Sequence, residues 1–172
     1  MITRSFTKGD AASEAVYSDC ERYRYLLTRV WGPGPKALFV MLNPSTATEM
    51  QNDPTVERCE RRARALGFGA FRVANIFAFR ATDPRMMRAT ADPIGPDNDR
   101  TILEGLPWAD TVICAWGNHG LYRSRGAEVE ALLRKTGTPM SHLGMTNHAQ
   151  PRHPLYLGYD AQPQPWENPL GG

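Results

Sequence analysis

The chain reads as an α/β protein of three layers, with helices on both faces of a central, mostly parallel sheet of about four or five strands. Three observations predict this. Ala37 to Leu42 is an unbroken apolar run, too short to span a membrane and suited to a strand buried on both faces. Thr111 to Trp116 is a second run of the same kind. Between them lie a helical pattern and a further strand, Phe71 to Phe77, the strand–helix–strand order of a parallel crossover.

The length, 172 residues, suits one domain with a core of its own, and 41% hydrophobic with 22% charged residues is ordinary for a soluble protein. The three cysteines, Cys20, Cys59 and Cys114, are too scattered for zinc or iron–sulfur ligation and fit a reducing, cytoplasmic setting. Cys59 and Cys114 fall on apolar faces and read as packing residues. Met1 to Asp10 has no apolar leader, and no segment is long enough to cross a bilayer. The net charge of +2 does not by itself imply a nucleic-acid partner. Arginine far outnumbers lysine, which fits phosphate recognition and a general compositional bias equally.

Residues 1–21 are polar with scattered small residues and read as a loosely packed arm. The domain proper is expected over 22–160, and a Pro- and Gly-rich tail over 161–172. Tyr23 to Val30 is rich in β-formers and reads as a strand near a sheet edge. Gly32-Pro33-Gly34-Pro35 then turns the chain into the strand that ends at Asn43-Pro44. Asp53-Pro54 is a helix start, with Asp as N-cap and Pro as the first helical residue. Val56, Cys59, Ala63 and Leu66 recur at helical spacing, and Gly67 supplies the stop. The arginines of this helix read as a solvated face. Thr82 to Pro96 is a Pro-rich loop placed to cover a site, and a short helix capped by Asp97 or Asn98 follows through Leu106. Ala127 to Lys135 is helical, and Met140 to Leu143 reads as the last strand.

Four polar clusters follow these strands: Asn43-Pro44-Ser45, Asn75 with Arg80, Trp116-Gly117-Asn118-His119, and His153-Pro154-Leu155-Tyr156. Parallel topology would gather them at the carboxyl edge of one sheet, where open α/β sheets bind ligands. Met41-Leu42-Asn43-Pro44-Ser45 resembles the first motif of the uracil-DNA glycosylase superfamily. Val73-Ala74-Asn75-Ile76 through Arg80, and Val112 to Gly117, resemble its middle strands, and His153-Pro154-Leu155-Tyr156 its second catalytic motif. Leu42 to Ala47, Asn52-Asp53-Pro54-Thr55 and the late His-Pro-Leu-Tyr together resemble domain-of-unknown-function family 1643 more closely. The superfamily resemblance implies a glycosylase-like fold, DNA as partner, and a metal-independent enzyme that hydrolyses the bond between a damaged, mismatched or modified base and its sugar.

The residues have chemistry to match. Cleavage of that bond makes the sugar cation-like and the base an anion, so it depends on positioned water and on donors aimed at the leaving base. Asn43 would hold the water through its carbonyl oxygen, Asp53 is the nearest candidate carboxylate, and His153 would donate to the base. Asn75 would read the base edge, Phe77 or Phe79 would stack on it, and Pro44 and Ser45 would line its pocket. Arg80, Asn118, Arg152, Leu155 and Tyr156 are the expected DNA contacts. Asn43 stands where many superfamily members carry an acid, and an amide cannot serve as a general base. The alternatives are a non-catalytic nucleic-acid or nucleotide-binding module, or an N-glycosidase of free nucleosides or nucleotides. No cofactor is expected: no GxGxxG follows a strand, and His119, His142, His148 and His153 lack compact metal-ligand spacing.

Overall fold

A computed structural model describes residues 1–167. Its centre is a sheet of eight strands in the order β1-β2-β3-β5-β4-β6-β7-β8. The strands are β1 (Ile2–Lys8), β2 (Ala11–Tyr17), β3 (Arg24–Val30), β4 (Lys36–Met41), β5 (Ala70–Asn75), β6 (Thr111–Cys114), β7 (Ser141–His142) and β8 (Gln164–Pro165). The helices are α1 (Pro54–Ala65), α2 (Pro84–Ala89), α3 (Asn98–Gly105) and α4 (Arg125–Lys135).

The chain is α/β, but the sheet is larger and more mixed than the mostly parallel, four- to five-stranded one expected. Only β5, β4, β6 and β7 run parallel to one another; the pairings of β1 with β2, β2 with β3, β3 with β5 and β7 with β8 are antiparallel. Part of the difference is the segment 1–21, which is not a loose arm: it forms the hairpin β1–β2, whose second strand alternates buried and exposed residues. That hairpin pairs with β3, so β3 lies inside the sheet rather than near its edge. Of the segment 161–172, Gln164–Pro165 pairs with β7, and 168–172 lie outside the described residues.

Two cores flank the sheet. Phe39, Met41, Phe71, Val73 and Ile113 pack against Val56, Cys59 and Ala63 of α1 on one face. Leu38, Val40, Ala74, Val112 and Cys114 pack against Ile102 of α3 and Val129 and Leu133 of α4 on the other. β4 contributes to both cores because alternate side chains of a central strand point to opposite faces. Burial pushes the Cys59 thiol up to about 12 and raises that of Cys114 as well, which leaves both as packing groups.

The arginines of α1 are not a uniformly solvated face. Arg62 is fully buried and donates to the carbonyls of Gly158 (3.0 Å) and Ala161 (3.1 Å). Arg58 donates to the carbonyls of Pro154 (3.2 Å) and Leu157, and both guanidinium groups lie over the Tyr159 ring, at 4.9 and 5.5 Å from its centre. Thus α1 ties down the segment that follows His153. Arg62→Met, which keeps the volume and removes the donors, should lower stability by about 2–3 kcal/mol. It should also open 157–161 to proteolysis; urea denaturation and limited digestion measure the two effects.

Candidate functional site

The site is built where β4, β5 and β6 end. Beyond Met41 and Asn75, Ile76 donates its backbone N–H to Met41 and Phe77 donates to Leu42; Ala115 donates to Val40. These bonds carry the chain segments a residue or two past the sheet before they diverge. A cavity of about 850 Å³ opens between them. One wall is Leu42, Asn43 and Ser45 with Asp53, Pro54 and Thr55 from the start of α1. A second is Ala81, Thr82 and Pro84 leading into α2. The wall after β6 is Trp116, Gly117, Asn118 and His119, joined by Thr146, Asn147, His148 and Arg152; His153, Leu155, Tyr156 and Leu157 complete the ring. Its volume is that of a small-molecule site.

The loop that bears Asn43 and Ser45 is held from below. Arg24, fully buried, donates to the Ala47 carbonyl (3.0 Å). Arg29 donates to Ser13 Oγ (2.7 Å), the Thr48 carbonyl (2.7 Å) and Asn52 Oδ1 (3.0 Å). Asp53 joins this loop to the helix: one carboxylate oxygen accepts the Val56 N–H (2.9 Å) as the N-cap, and the other accepts the Ala47 N–H (3.2 Å). The Asn43 amide nitrogen donates to the Pro44 and Ala81 carbonyls, at 3.0 Å each. Both its protons are used, so the atom it offers to a ligand is the acceptor Oδ1.

His153 lines the cavity beside Gly117. Its backbone lies against Gly117, whose φ of +71° and bare α-carbon permit the approach: a Cβ there would sit 3.3 Å from His153 Cβ. His153 Nδ1 accepts the Leu155 N–H at 3.3 Å, so the neutral ring carries its proton on Nε2. Burial lowers the imidazole to about 4; the Asp53 charge opposes that shift and His119 adds to it. His153 is therefore a neutral donor at physiological pH.

The cavity unites three of the four polar clusters: it gathers Asn43, Ser45, Asn118, His153, Leu155 and Tyr156, together with Asp53 and Arg152. The cluster after β5 lies elsewhere. Asn75 is buried at the end of its strand, and its Oδ1 has no partner among the described residues. Phe77 is fully buried in the α3–α4 core, tilted against Tyr122, and Phe79 packs edge-on against Tyr23. Arg80 donates to the Glu21 carbonyl and lies over the Tyr17 ring; buried Pro44 contributes its carbonyl to Asn43 and to the Ala81 N–H. None of these five lines the cavity.

His119 and Trp116, which belong to the third cluster but were given no role, also reach the cavity, as do Thr82 from the loop expected to cover a site and the 146–148 turn, which the sequence had not singled out. The sequence signal for His119 was its position directly after Gly117-Asn118 at a strand end. The 146–148 turn carried none, because it depends on long-range contacts with Asn118. Among the described residues no group of three or more His, Cys, Asp or Glu is placed to hold a metal, and no helix is long and apolar enough to cross a membrane.

A family model described as a protein of unknown function (DUF1643) matches residues 24–155, so the chain belongs to that family. The matched region begins at β3 and ends within the His153 loop; the β1–β2 hairpin lies outside it. No curated protein and no solved structure matches the chain.

The His153 geometry sets a pH dependence. The unfolded imidazole gains a proton near its ordinary 6.5, whereas the native one resists until about 4. Stability should therefore fall as pH drops through that window, by an amount on the order of 2–3 kcal/mol for this one group. Chemical denaturation at pH 7.5, 5.5 and 4.5 should show that loss in the wild type and a smaller one in His153→Gln.

Proposed function

We propose that this member of the DUF1643 family is a metal-independent N-glycosidase that hydrolyses the bond between a nucleobase and its sugar, in DNA or in a nucleotide. The observation that carries the reading is that Asn43, whose uncommitted atom is the acceptor Oδ1, and His153, a neutral donor through Nε2, line one cavity. The likeness of Leu42-Asn43-Pro44 and His153-Pro154 to the two motifs of the uracil-DNA glycosylase superfamily supports it independently.

The step follows from those atoms. As the bond between the sugar C1′ and the base nitrogen breaks, the electron pair goes to the base, whose developing negative charge takes a hydrogen bond from His153 Nε2–H. Asn43 Oδ1 holds a water that attacks C1′, and the proton released from that water ends on the departing base. The Asp53 carboxylate faces the cation-like sugar as a fixed charge rather than a free base, because both its oxygens already accept backbone N–H groups. A neutral donor suits this chemistry: it stabilises the anion without first having to be protonated. With Phe77 and Phe79 outside the cavity, Tyr156 is the exposed aromatic at its mouth, 85% exposed with its ring 6.4 Å from that of His153. It is placed to stack on a base or to fill the gap left by an extruded one.

Oligonucleotides with uracil, mismatched bases and modified pyrimidines, treated with alkali after incubation, test the reading in DNA; chromatography of free base tests nucleosides and nucleotides. Release should drop about a hundredfold or more in His153→Ala, the loss expected for a donor to a developing anion, with the circular dichroism unchanged. The wild-type rate should lack an inflection near pH 6.5. Binding of these substrates without release of any base would replace the hydrolase with a binding module.

A further inference from the structure

We propose that Asn118, His119 and Arg152 form a phosphate subsite, which holds the phosphate of the nucleotide whose base–sugar bond lies at Asn43 and His153. The proposal rests on the reading above, and it adds which part of the substrate this wall grips.

Hydrogen-bond bookkeeping leaves these three side chains with donors only. Thr146 Oγ1 accepts the N–H groups of His148 and Gln150, at 3.2 Å each, so its own proton goes to Asn118 Oδ1 at 2.6 Å. That fixes the Asn118 amide and leaves its NH2 group to face a ligand. His119 Nδ1 lies 3.2 Å from an Arg88 Nη. A guanidinium can only donate, so Nδ1 is the acceptor and Nε2 carries the proton. Arg152 donates through Nε to the Met145 carbonyl (3.3 Å), and its stem packs against Gly144, where a Cβ would lie 3.2 Å from Arg152 Cδ. The Nη groups of Arg152 have no partner among the described residues, so the fork is anchored at one corner and open at the other two.

The single carboxylate among the described lining residues, Asp53, belongs to the separate wall at the start of α1. A sugar hydroxyl or a base edge needs acceptors as well as donors, and these three side chains offer no free acceptor. An anion needs donors alone. Three donor groups from the strand end, the turn after it and the segment before His153 suit an anion with oxygens in several directions, as a phosphate has, better than a flat carboxylate.

The test uses probes without a base, so it does not depend on knowing the base or on turnover. Calorimetry should show 2-deoxyribose 5-phosphate binding about tenfold or more tightly than 2-deoxyribose, with the preference weakening as salt rises. Arg152→Gln should remove most of that preference and Arg152→Lys restore part of it; Asn118→Asp, which adds a negative charge, should weaken the sugar phosphate alone. A short oligonucleotide with a stable abasic analogue forms the second arm: tighter binding of the oligonucleotide assigns an internal phosphodiester, tighter binding of the sugar phosphate a terminal phosphate, and either supports the subsite. Equal binding of sugar and sugar phosphate, no binding of any probe, or an unchanged Arg152→Gln would overturn it. The two readings fail separately: base release without phosphate preference removes the subsite and leaves the hydrolase, while phosphate preference without base release does the reverse.

Discussion

The structure depends on buried guanidinium groups whose Nη or Nε atoms donate to loop carbonyls, although the Nε of Arg24, Arg29 and Arg62 has no partner among the described residues. Arg24, Arg29, Arg62 and Arg125 are all essentially inaccessible to solvent. A charge removed from water costs several kcal/mol unless it is fully paired. Burial pulls Arg24 down to about 10, so it still carries its charge near neutrality. The partners are mostly main-chain oxygens: Ala47 for Arg24, Thr48 for Arg29, and Gly158 and Ala161 for Arg62; Arg125 donates to the Ile76 carbonyl and pairs with the carboxylates of Asp99 and Glu128. Carbonyls beyond strand and helix ends are the groups a regular element cannot satisfy. Each buried arginine thus exchanges one unfavourable burial for another, and both become tolerable only together. The segments around the cavity are fixed from inside the protein by long side chains.

Asp53 extends the same logic to the cavity. Its carboxylate caps α1, closes the 45–52 loop through Ala47, and supplies negative charge near both Arg24 and His153. An N-cap is a common use of aspartate, and that role alone explains why Asp53 precedes Pro54. The fold gives it a further consequence, because the N-terminus of α1 abuts the end of β4. Asn43 and Asp53 share a wall through this placement, although nine residues separate them in the chain.

Much of the centre was legible in the sequence because it obeys strong local rules. β4 is an apolar run stopped by Asn43-Pro44, and α1 is a capped, periodic helix whose bounds, Pro54–Ala65, match the pattern. The periphery was not legible, for physical reasons that differ from element to element. β1 is exposed or half-exposed along its length, so its sequence shows no alternation, and without it β2 and β3 could not be ranked as interior strands. Arg62 sits among solvated arginines in the chain, and only the distant Gly158 and Ala161 carbonyls turn it inward. Phe77 and Phe79 follow a strand as an aromatic lining would, but β5 continues as an ordered segment bonded to Leu42, which delivers Phe77 into the α3–α4 core. The fourth cluster missed the cavity because sequence order gives the strand end and not the direction of the turn after it.

The absence of an acid at position 43 then bears on what chemistry this cavity can support. Asn43 has spent both amide protons on carbonyls, and Asp53 has accepted a backbone N–H at each oxygen. Neither is arranged to take a proton early in a reaction. The donors, by contrast, are open: His153 Nε2–H, the Asn118 amide and the Arg152 fork. A reaction that begins with proton abstraction would find little help here. One in which a bond breaks first, leaving a cation beside fixed negative charge and an anion beside fixed donors, needs no strong base, because the attacking water becomes acidic only as it bonds to the cation. Cleavage of a base from its sugar, the reaction proposed above, is of this kind, and for it an amide at position 43 would cost rate without removing the means of catalysis.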